Sequence, residues 1–242
     1  MAKLGDFKLL SFDVYGTLID WERGFLSAMQ PVLARSGKSD LDPKHILEVC
    51  HALQVPEQAA NPSQKYSELL TSIHPKLCKE LGLEAPSVEE SKKFGESVPQ
   101  WPAFPDTVEA LKRLKKVYRM VVLSNVDNAS FQANNRNSLC GFEWDAVLTA
   151  EDIRSYKPDL KNFEYMLKEV RSRFGVEKEQ VLQTAQSQFH DHHPAKNMQI
   201  KSSWIFRPDS IKGDRDDPVY DWKFDTLAEM ADAVEKEMAA EK

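Results

Sequence analysis

A short apolar segment near the N-terminus, Phe7–Phe12, ends abruptly in a carboxylate and constrains the fold more than any other feature. The segment is too brief for a helix and fits a buried strand of a parallel sheet. Asp13 follows it directly, and Gly16 and Thr17 come shortly after. Because open α/β sheets bind ligands beyond the carboxyl ends of their strands, we expect Asp13 at the mouth of a site. Thr17 would fix a ligand or cap the turn; alternatively, Asp13 itself only caps a turn.

Further apolar segments of strand length alternate with amphipathic helical patterns along the second part of the chain. The predicted strands are 118–123, 144–148, 180–184 and 203–206, and the predicted helices begin at 107 and cover about 129–139, 161–174, 191–198 and 226–238. Such alternation is typical of a parallel sheet with helices on both faces. We therefore predict an α/β fold, doubly wound and Rossmann-like, with five strands.

Residues 21–99 interrupt this alternation, because they contain helical patterns and no convincing strand. Pro31 is expected to kink the first helix. Four more prolines are expected to break the region that follows into short helices: Pro56, Pro62, Pro75 and Pro86. We predict that 21–99 form an all-helical cap inserted after the first strand, and that 1–20 and 100–242 form the α/β core.

The net charge of the chain disfavours some kinds of binding partner. Its 32 Lys and Arg against 38 Asp and Glu produce a formal net charge of −6, which disfavours binding to nucleic acid or to an anionic membrane. Cys50, Cys78 and Cys140 are odd in number and widely spaced, as in reduced intracellular proteins. The chain starts without an apolar signal core, and no segment has the length of a membrane span. We expect a cytoplasmic protein that binds neither nucleic acid nor a membrane, and a homodimer is left open.

Polar side chains follow the predicted strands at one edge of the sheet. Ser124 and Asn125 follow the second strand, Lys157 lies in the loop after the third, and Gln186 and Ser187 lead from the fourth to Asp191. One such residue alone carries little weight, since a lysine is usually a solvated surface charge. Because successive parallel strands bring their carboxyl ends to one rim, the set together with Asp13 predicts an active site.

The segment Asp13-Val14-Tyr15-Gly16-Thr17-Leu18 resembles the first motif of the haloacid dehalogenase superfamily. The order Asp, Ser, Lys-Pro, acidic residue also matches its four motifs, and the resemblance implies that Asp13 is a covalent nucleophile. The phosphatases of this superfamily carry a second Asp two residues after the nucleophile and an acidic Mg²⁺ ligand in a Gly-Asp-Ser segment. Here those positions hold Tyr15 and Gln186. The chain therefore resembles the L-2-haloacid dehalogenase branch, and we predict no metal and no cofactor.

This resemblance implies a small-molecule carboxylate substrate and a role for each residue at the strand ends. Asp13 attacks C2 of a small 2-substituted carboxylic acid and forms an ester. Lys157 supplies the local positive charge, and Asp191 is the candidate base for hydrolysis of that ester. The residues predicted to bind the substrate are Tyr15, Thr17, Trp21, Ser124, Asn125 and Ser187. Asp191 has an alternative role as the N-cap of a helix before Pro194.

A further resemblance concerns the substrate. The segments 12–21 and 101–111 are similar to those of the bacterial hydrolase that opens L-azetidine-2-carboxylate by attack of the same Asp. That similarity implies that Trp21 faces the substrate ring; otherwise Trp21 is a core aromatic between cap and sheet. The chain departs from the dehalogenases at Phe163, where they have Tyr, and in 41–55, where no arginine matches the one that receives halide.

An (S)-2-haloacid dehalogenase-like hydrolase is thus the main prediction from the sequence. The alternatives are an azetidine-2-carboxylate hydrolase, an Mg²⁺-dependent phosphatase, and an inactive binding protein on the same fold. Three histidines flank Asp191, namely His190, His192 and His193. We expect them to be polar surface residues rather than metal ligands.

Overall fold

The computed structural model describes residues 2–61, 64–211 and 217–240. Within these ranges the chain forms a parallel sheet whose strands alternate with helices. The strands are β1 Leu9–Phe12, β2 Arg119–Ser124, β3 Ala146–Thr149, β4 Val181–Ala185, β5 Lys201–Ile205 and β6 Trp222–Phe224. The helices are α1 Trp21–Arg35, α2 Pro43–Ala60, α3 Tyr66–Glu80, α4 Val88–Gly95, α5 Thr107–Leu114, α6 Asn128–Asn137, α7 Ala150–Ile153, α8 Lys161–Phe174, α9 His193–Asn197 and α10 Leu227–Ala240.

The sheet has the strand order β3-β2-β1-β4-β5-β6 in the described part of the chain, and each neighbouring pair is parallel. The predicted α/β fold with a parallel sheet flanked by helices is confirmed. In β1, Phe12 is level with Val122 on one side and Thr184 on the other. Because successive strands are added first on one side of β1 and then on the other, its carboxyl end lies where such sheets hold their ligands.

Each strand predicted from the sequence is present, with ends that differ by two residues or fewer. All residues of β1 are buried, since the strand has neighbours on both edges and helices on both faces. The sixth strand, Trp222–Phe224, is missing from the prediction. It is a short edge strand with an exposed lysine at its centre, so it has no apolar run that a sequence pattern could reveal.

The predicted cap contains α1–α4, but its prolines act differently from the prediction. Pro56 lies inside α2 and Pro75 inside α3, so the expectation that they break the helices is wrong. A proline removes one backbone hydrogen bond from a helix, and α3 offsets that loss by burying side chains on both sides of Pro75. Pro31 lies inside α1, Pro86 precedes α4, and Pro62 lies outside the described residues.

The turn after β1 is joined to the segment that follows α4. Ile19 pairs with Ala103 in an antiparallel bridge, and Asp20 N–H donates to Pro102 O at 2.8 Å. The chain therefore leaves the sheet at Asp20 and returns beside the same point, as an inserted segment requires. Buried side chains of β1, α1 and α3 nevertheless form one continuous cluster. The division into two domains stays a prediction.

None of the helices in the described ranges is both long and apolar enough to cross a membrane. Cys50 and Cys78 are buried, Cys140 is exposed, and all three are free thiols. Burial raises the pKa of Cys50 to about 12 and that of Cys78 to about 11, so both thiols stay protonated at neutral pH.

Gly24 in α1 lies directly against the ring of Trp101, and a methyl group at this position would overlap that ring. In an exposed helix, Gly→Ala stabilises by up to about 1 kcal/mol. Here the clash outweighs the gain, and we expect Gly24→Ala to lower the free energy of unfolding by about 1–3 kcal/mol. Urea unfolding followed by circular dichroism measures the change. The exposed Ser27→Ala in the same helix is the control, with an expected change within about 0.5 kcal/mol; equal stability of the two variants would contradict the packing.

Candidate active site

Asp13 lies at the end of β1 and is almost buried, with 7% of the residue exposed. Its N–H donates to Thr184 O at 3.2 Å, so it extends the pairing of β1 with β4. Its Oδ2 accepts a hydrogen bond from Thr17 Oγ1 at 2.8 Å, and its Oδ1 accepts one from Lys157 Nζ at 2.9 Å. Each oxygen is held by one donor, which orients the carboxylate and leaves further lone pairs for a reaction.

A tight turn over residues 14–19 brings Thr17 back to Asp13. Gly16 has φ +89°, a conformation that favours glycine, and its N–H donates to Ile19 O at 2.8 Å. Thr17 Oγ1 also accepts a hydrogen bond from Gln186 N–H at 2.9 Å. Because a lone pair of this hydroxyl is engaged by Gln186, its proton is directed to Asp13.

The ammonium group of Lys157 is the centre of the site. Nζ donates to Asp13 Oδ1 at 2.9 Å, to Asp191 Oδ1 at 2.7 Å and to Leu123 O at 2.9 Å, so all three of its N–H bonds are used. Burial alone lowers the pKa of Lys157, but the charges of Asp13 and Asp191 outweigh burial and raise that pKa above its ordinary value. Lys157 is therefore a buried and permanently charged group.

The backbone of Lys157 is held by Asn125. Asn125 Nδ2 donates to Lys157 O at 2.9 Å, and Lys157 N–H donates to Asn125 Oδ1 at 2.6 Å. The sequence predicts a substrate contact for Asn125; in the structure both polar atoms of its side chain bind the loop that carries the cation. The preceding residue, Tyr156, donates from its hydroxyl to Gln64 O at 2.5 Å, which joins the same loop to the segment before α3.

Asp191 bonds to the same ammonium and is completely buried. Its Oδ1 accepts hydrogen bonds from Lys157 Nζ and, at 2.8 Å, from Gln183 Nε2, whereas its Oδ2 has no partner among the described residues. Burial raises the pKa of Asp191 to about 7, and the charge of Asp13 adds to this shift although Lys157 opposes it. A carboxyl group with a pKa near the working pH has the property that a general base needs.

The alternative role of Asp191 as a helix N-cap is wrong. The turn 188–192 is capped by Ser187, whose Oγ accepts a hydrogen bond from His190 N–H at 3.0 Å. The following helix, α9, has no side-chain cap. The Asp191 carboxylate instead bonds to Lys157, while Ser187, predicted to bind the substrate, stabilises the turn that presents Asp191.

Three other residues predicted to contact the substrate lie around this centre. Ser124 Oγ is buried at the end of β2 and has no hydrogen-bond partner in the described ranges. Tyr15 donates from its hydroxyl to Asn134 Oδ1 at 2.6 Å, and its ring packs against the rings of Tyr66 and Trp101. Trp21 lies so close to Gly16 that a methyl group there would be 3.4 Å from Trp21 Cδ1. One free hydroxyl and two aromatic rings thus border the site.

Gln183 is a site residue that the sequence prediction does not include. It lies in the middle of β4, is fully buried, and orients Asp191 through its side-chain amide. The sequence feature that could have indicated Gln183 is a polar amide within an otherwise buried strand. Such a group is stable there only with a hydrogen-bond partner.

The histidines beside Asp191 differ from the prediction. The expectation of a surface position is wrong for His192, which is buried and bonds through its two ring nitrogens to Ser202 Oγ and Ala185 O, both at 2.9 Å. His190 is half-buried. Burial lowers the pKa of His190 and that of His192 to about 4, and the nearby charge of Lys157 adds to the shift of His190. Both rings are therefore neutral at physiological pH.

The donor set around Asp13 does not fit Mg²⁺. The ammonium of Lys157 already lies between the carboxylates of Asp13 and Asp191, where a divalent cation would meet a like charge. Gln186 offers a neutral amide where a phosphatase has a carboxylate. In the part of the chain that the structure describes, no three His, Cys, Asp or Glu side chains are grouped so that they could hold a metal ion.

Comparison with known proteins identifies the family. Residues 10–205 match the model of the haloacid dehalogenase-like hydrolases. The chain belongs to this family. The match begins in β1 and ends with β5, so it includes the strands that carry the Asp13 site. The resemblance to the superfamily that the sequence motifs indicate is thereby confirmed.

This haloacid dehalogenase-like protein also has individual relatives. It is 28% identical over 160 residues to (S)-2-haloacid dehalogenase 4A of Burkholderia cepacia, covering 64% of this chain and 65% of that protein, or slightly less than two thirds of its length. It is 26% identical over 199 residues to the (S)-2-haloacid dehalogenase of Pseudomonas putida, a match that covers 81% of this chain and 83% of that protein.

Solved structures show the same fold. The L-2-haloacid dehalogenase from Xanthobacter autotrophicus matches with a TM-score of 0.75 at 18% identity, over 95% of this chain and 98% of that one. A structure of that enzyme with chloropropionic acid covalently bound matches equally well, with a TM-score of 0.75. At this level of identity the likeness concerns the fold alone.

The raised pKa of Asp191 can be measured without a substrate. In ¹³C NMR of labelled carboxyl carbons, we expect one aspartate signal with a titration midpoint at about 7, because burial disfavours the charged form. Asp191→Asn should remove this signal, and Asp159→Asn, at an exposed position, should leave it in place. If every aspartate titrates below about pH 5, in the ordinary range, the environment of Asp191 is not the one described.

Proposed function

We propose that this protein is a metal-independent hydrolase that replaces the halogen at C2 of small (S)-2-haloacids with a hydroxyl group. The observation that carries the proposal is the ammonium of Lys157 shared by the carboxylates of Asp13 and Asp191. Asp13 is at the turn bordered by aromatic rings, whereas Asp191 is fully enclosed. The two carboxylates are therefore suited to different tasks, nucleophile and base. The (S)-2-haloacid dehalogenases among the relatives support the substrate class.

In the first step, a carboxylate oxygen of Asp13 attacks C2 of the substrate. A C2–O bond forms while the carbon–halogen bond breaks, and the halide leaves with the bonding electron pair. A stable anion needs no proton donor, which agrees with Tyr15 in the place of a second carboxyl group. Like charges about 4 Å apart cost about 4 kcal/mol at an effective dielectric constant near 20, so Lys157 is needed to offset the repulsion between Asp13 and the substrate carboxylate.

In the second step, water attacks the carbonyl carbon of the Asp13 ester. Asp191 accepts one proton from this water and gives it to the departing C2 oxygen, so that the 2-hydroxyacid is released. The second proton of the water passes to solvent, and Asp13 regains its carboxylate. Lys157 and Gln183 hold Oδ1 of Asp191, whereas Oδ2 has no partner in the described protein and is available to the water. Ionised Asp191 is needed, so hydrolysis should become faster as the pH rises through the pKa of this residue.

Ser124 is the proposed contact of the substrate. A buried hydroxyl without a partner is unfavourable unless a ligand or water satisfies it. Ser124 directly follows Leu123, whose carbonyl accepts a hydrogen bond from Lys157 Nζ, so the hydroxyl belongs to the same end of β2 as that bond. Thr17 and Asn125 act through other residues, since their side chains bond to Asp13 and to the Lys157 backbone.

A second candidate reaction is the opening of the ring of L-azetidine-2-carboxylate through the same ester. The C2–N bond would break as Asp13 attacks, and the protonated ring nitrogen would leave as an amine. The position of Trp21 against Gly16 favours this candidate, because an indole ring attracts a cationic nitrogen.

The ester on Asp13 is the decisive intermediate. In Asp191→Asn, which should form the ester but hydrolyse it slowly, we expect mass spectrometry of rapidly quenched protein to find Asp13 esterified through C2 of the propionate part of (S)-2-chloropropionate, without its chlorine. Asp13→Asn should form no ester and release no halide, once deamidation of the new Asn is excluded, whereas Asp20→Asn, which changes an N-cap of α1, should retain turnover.

Parallel reactions separate the alternatives. L-azetidine-2-carboxylate replaces the haloacid in one series, and a phosphate ester with Mg²⁺ in another. Halide release that is unchanged by a chelator supports the proposal. Turnover without an ester on Asp13 would refute the nucleophile, and activity lost to chelator and restored by Mg²⁺ would favour a phosphatase.

Removal of the buried cation should slow the reaction strongly. We expect Lys157→Ala to lower kcat by about 10²–10³-fold, and Lys157→Arg to restore little, because a planar fork does not replace a point charge among three acceptors. Circular dichroism must accompany the kinetics, since breaking a buried ion pair also destabilises a fold by about 3–5 kcal/mol. Arg154→Gln, at an exposed cation in the same loop, is the control with near-normal kcat. Normal turnover of a folded Lys157→Ala would remove this residue from the mechanism.

A further inference from the structure

A buried cation just beyond β5 has no part in the reaction steps above. Arg207 is 3% exposed and has φ +50°, which is uncommon for a residue other than glycine. Its Nε and Nη2 both donate to Thr17 O, at 3.1 and 2.7 Å. A strained backbone and a buried charge are each unfavourable, and they persist where the surrounding structure holds them in place.

Arg207 is itself fixed by the segment before α5. Its Nη1 donates to Asp106 Oδ1 at 2.6 Å, and its guanidinium carbon lies 4.1 Å from the centre of the Phe104 ring. Asp106 Oδ2 in turn accepts the N–H groups of Leu227 and Ala228 at the start of α10, at 2.9 and 3.2 Å. The planar fork of arginine makes these contacts together, which the single ammonium of a lysine cannot do.

This chain of contacts ends on the nucleophile. The carbonyl of Thr17 accepts from Arg207, and the hydroxyl of the same residue donates to Asp13 Oδ2 at 2.8 Å. We propose that Arg207 is a positioning residue, which acts through Thr17 to orient the Asp13 carboxylate toward C2. This inference rests on the proposed function of Asp13 as the nucleophile. A displacement of about 1 Å at a reacting group lowers turnover about 10²-fold, so the contact matters for the rate.

The test is a double-mutant cycle that combines Arg207→Lys with Thr17→Val. In the native background, we expect Arg207→Lys to lower kcat and the single-turnover rate of Asp13 ester formation by about 10²-fold, with KM little changed. In the Thr17→Val background, Arg207→Lys should lower these two rates by no more than about a further twofold, because the residue through which Arg207 acts has lost its hydroxyl.

Arg113→Gln is the matched control. Arg113 bonds to Asp232 and Glu235 and so also joins α5 to α10, but no hydrogen bond joins it to Thr17 in the described ranges. We expect near-native rates for this variant. If Arg207→Lys does not fold, Asp106→Asn serves instead, because it weakens the support of Arg207 while the guanidinium remains. We expect this variant to lower kcat and the rate of ester formation by a smaller factor, and to have no such effect in the Thr17→Val background.

A crystal structure of Arg207→Lys provides the readout that does not depend on activity. The proposal expects the Thr17 hydroxyl to have moved from Asp13 Oδ2. Equal losses of rate in the native and Thr17→Val backgrounds, with the Thr17–Asp13 hydrogen bond retained in the crystal, would show a purely structural role and overturn the proposal. Native rates for Arg207→Lys would overturn it as well. If the native protein forms no ester with any 2-haloacid, the proposed function fails, and the crystal structure still decides whether Arg207 orients Thr17.

Discussion

The shared ammonium of Lys157 is the interaction on which the rest of the site depends. A lone buried ammonium tends to lose its proton and a lone buried carboxylate tends to gain one, so neither charge would persist without the other. The two carboxylates keep Lys157 charged, and the deeper one, Asp191, is left with a raised pKa. Asn125 and Gln183 each hold one part of this cluster. Desolvation offsets most of the attraction within such a buried group, so its net contribution to the stability of the fold is small.

The order of strands explains how distant residues meet there. β1 is central, so the end of β2 supplies Asn125, the loop after β3 supplies Lys157, and the turn after β4 supplies Asp191. The segment after β5 adds Arg207, which reaches back to Thr17 in the turn after β1. The residues to which the proposed mechanism assigns the reaction and those to which it assigns positioning thus come from different strands at one edge of the sheet.

The strand-end residues could be predicted because parallel strands share a direction, which places every carboxyl end on one rim. The structure brings Asp13, Lys157 and Asp191 together at that rim. Other features could not be predicted, since they depend on contacts between distant segments. The burial of His192 depends on Ser202 in β5, and the continuity of α3 through Pro75 depends on the side chains packed along it.

Local patterns alone were enough to establish the alternation of strands and helices and the chemical type of residue at each strand end. Periodicity and apolar runs are properties of neighbouring residues, so they can be recognised without a fold. Which polar atom bonds to which was decided only by packing. Asn125 binds the backbone of Lys157, and Arg207 binds the carbonyl of Thr17, 190 positions away in the chain. Hydrogen bonds require defined distances and angles, and these exist only once the strands have taken their places in the sheet.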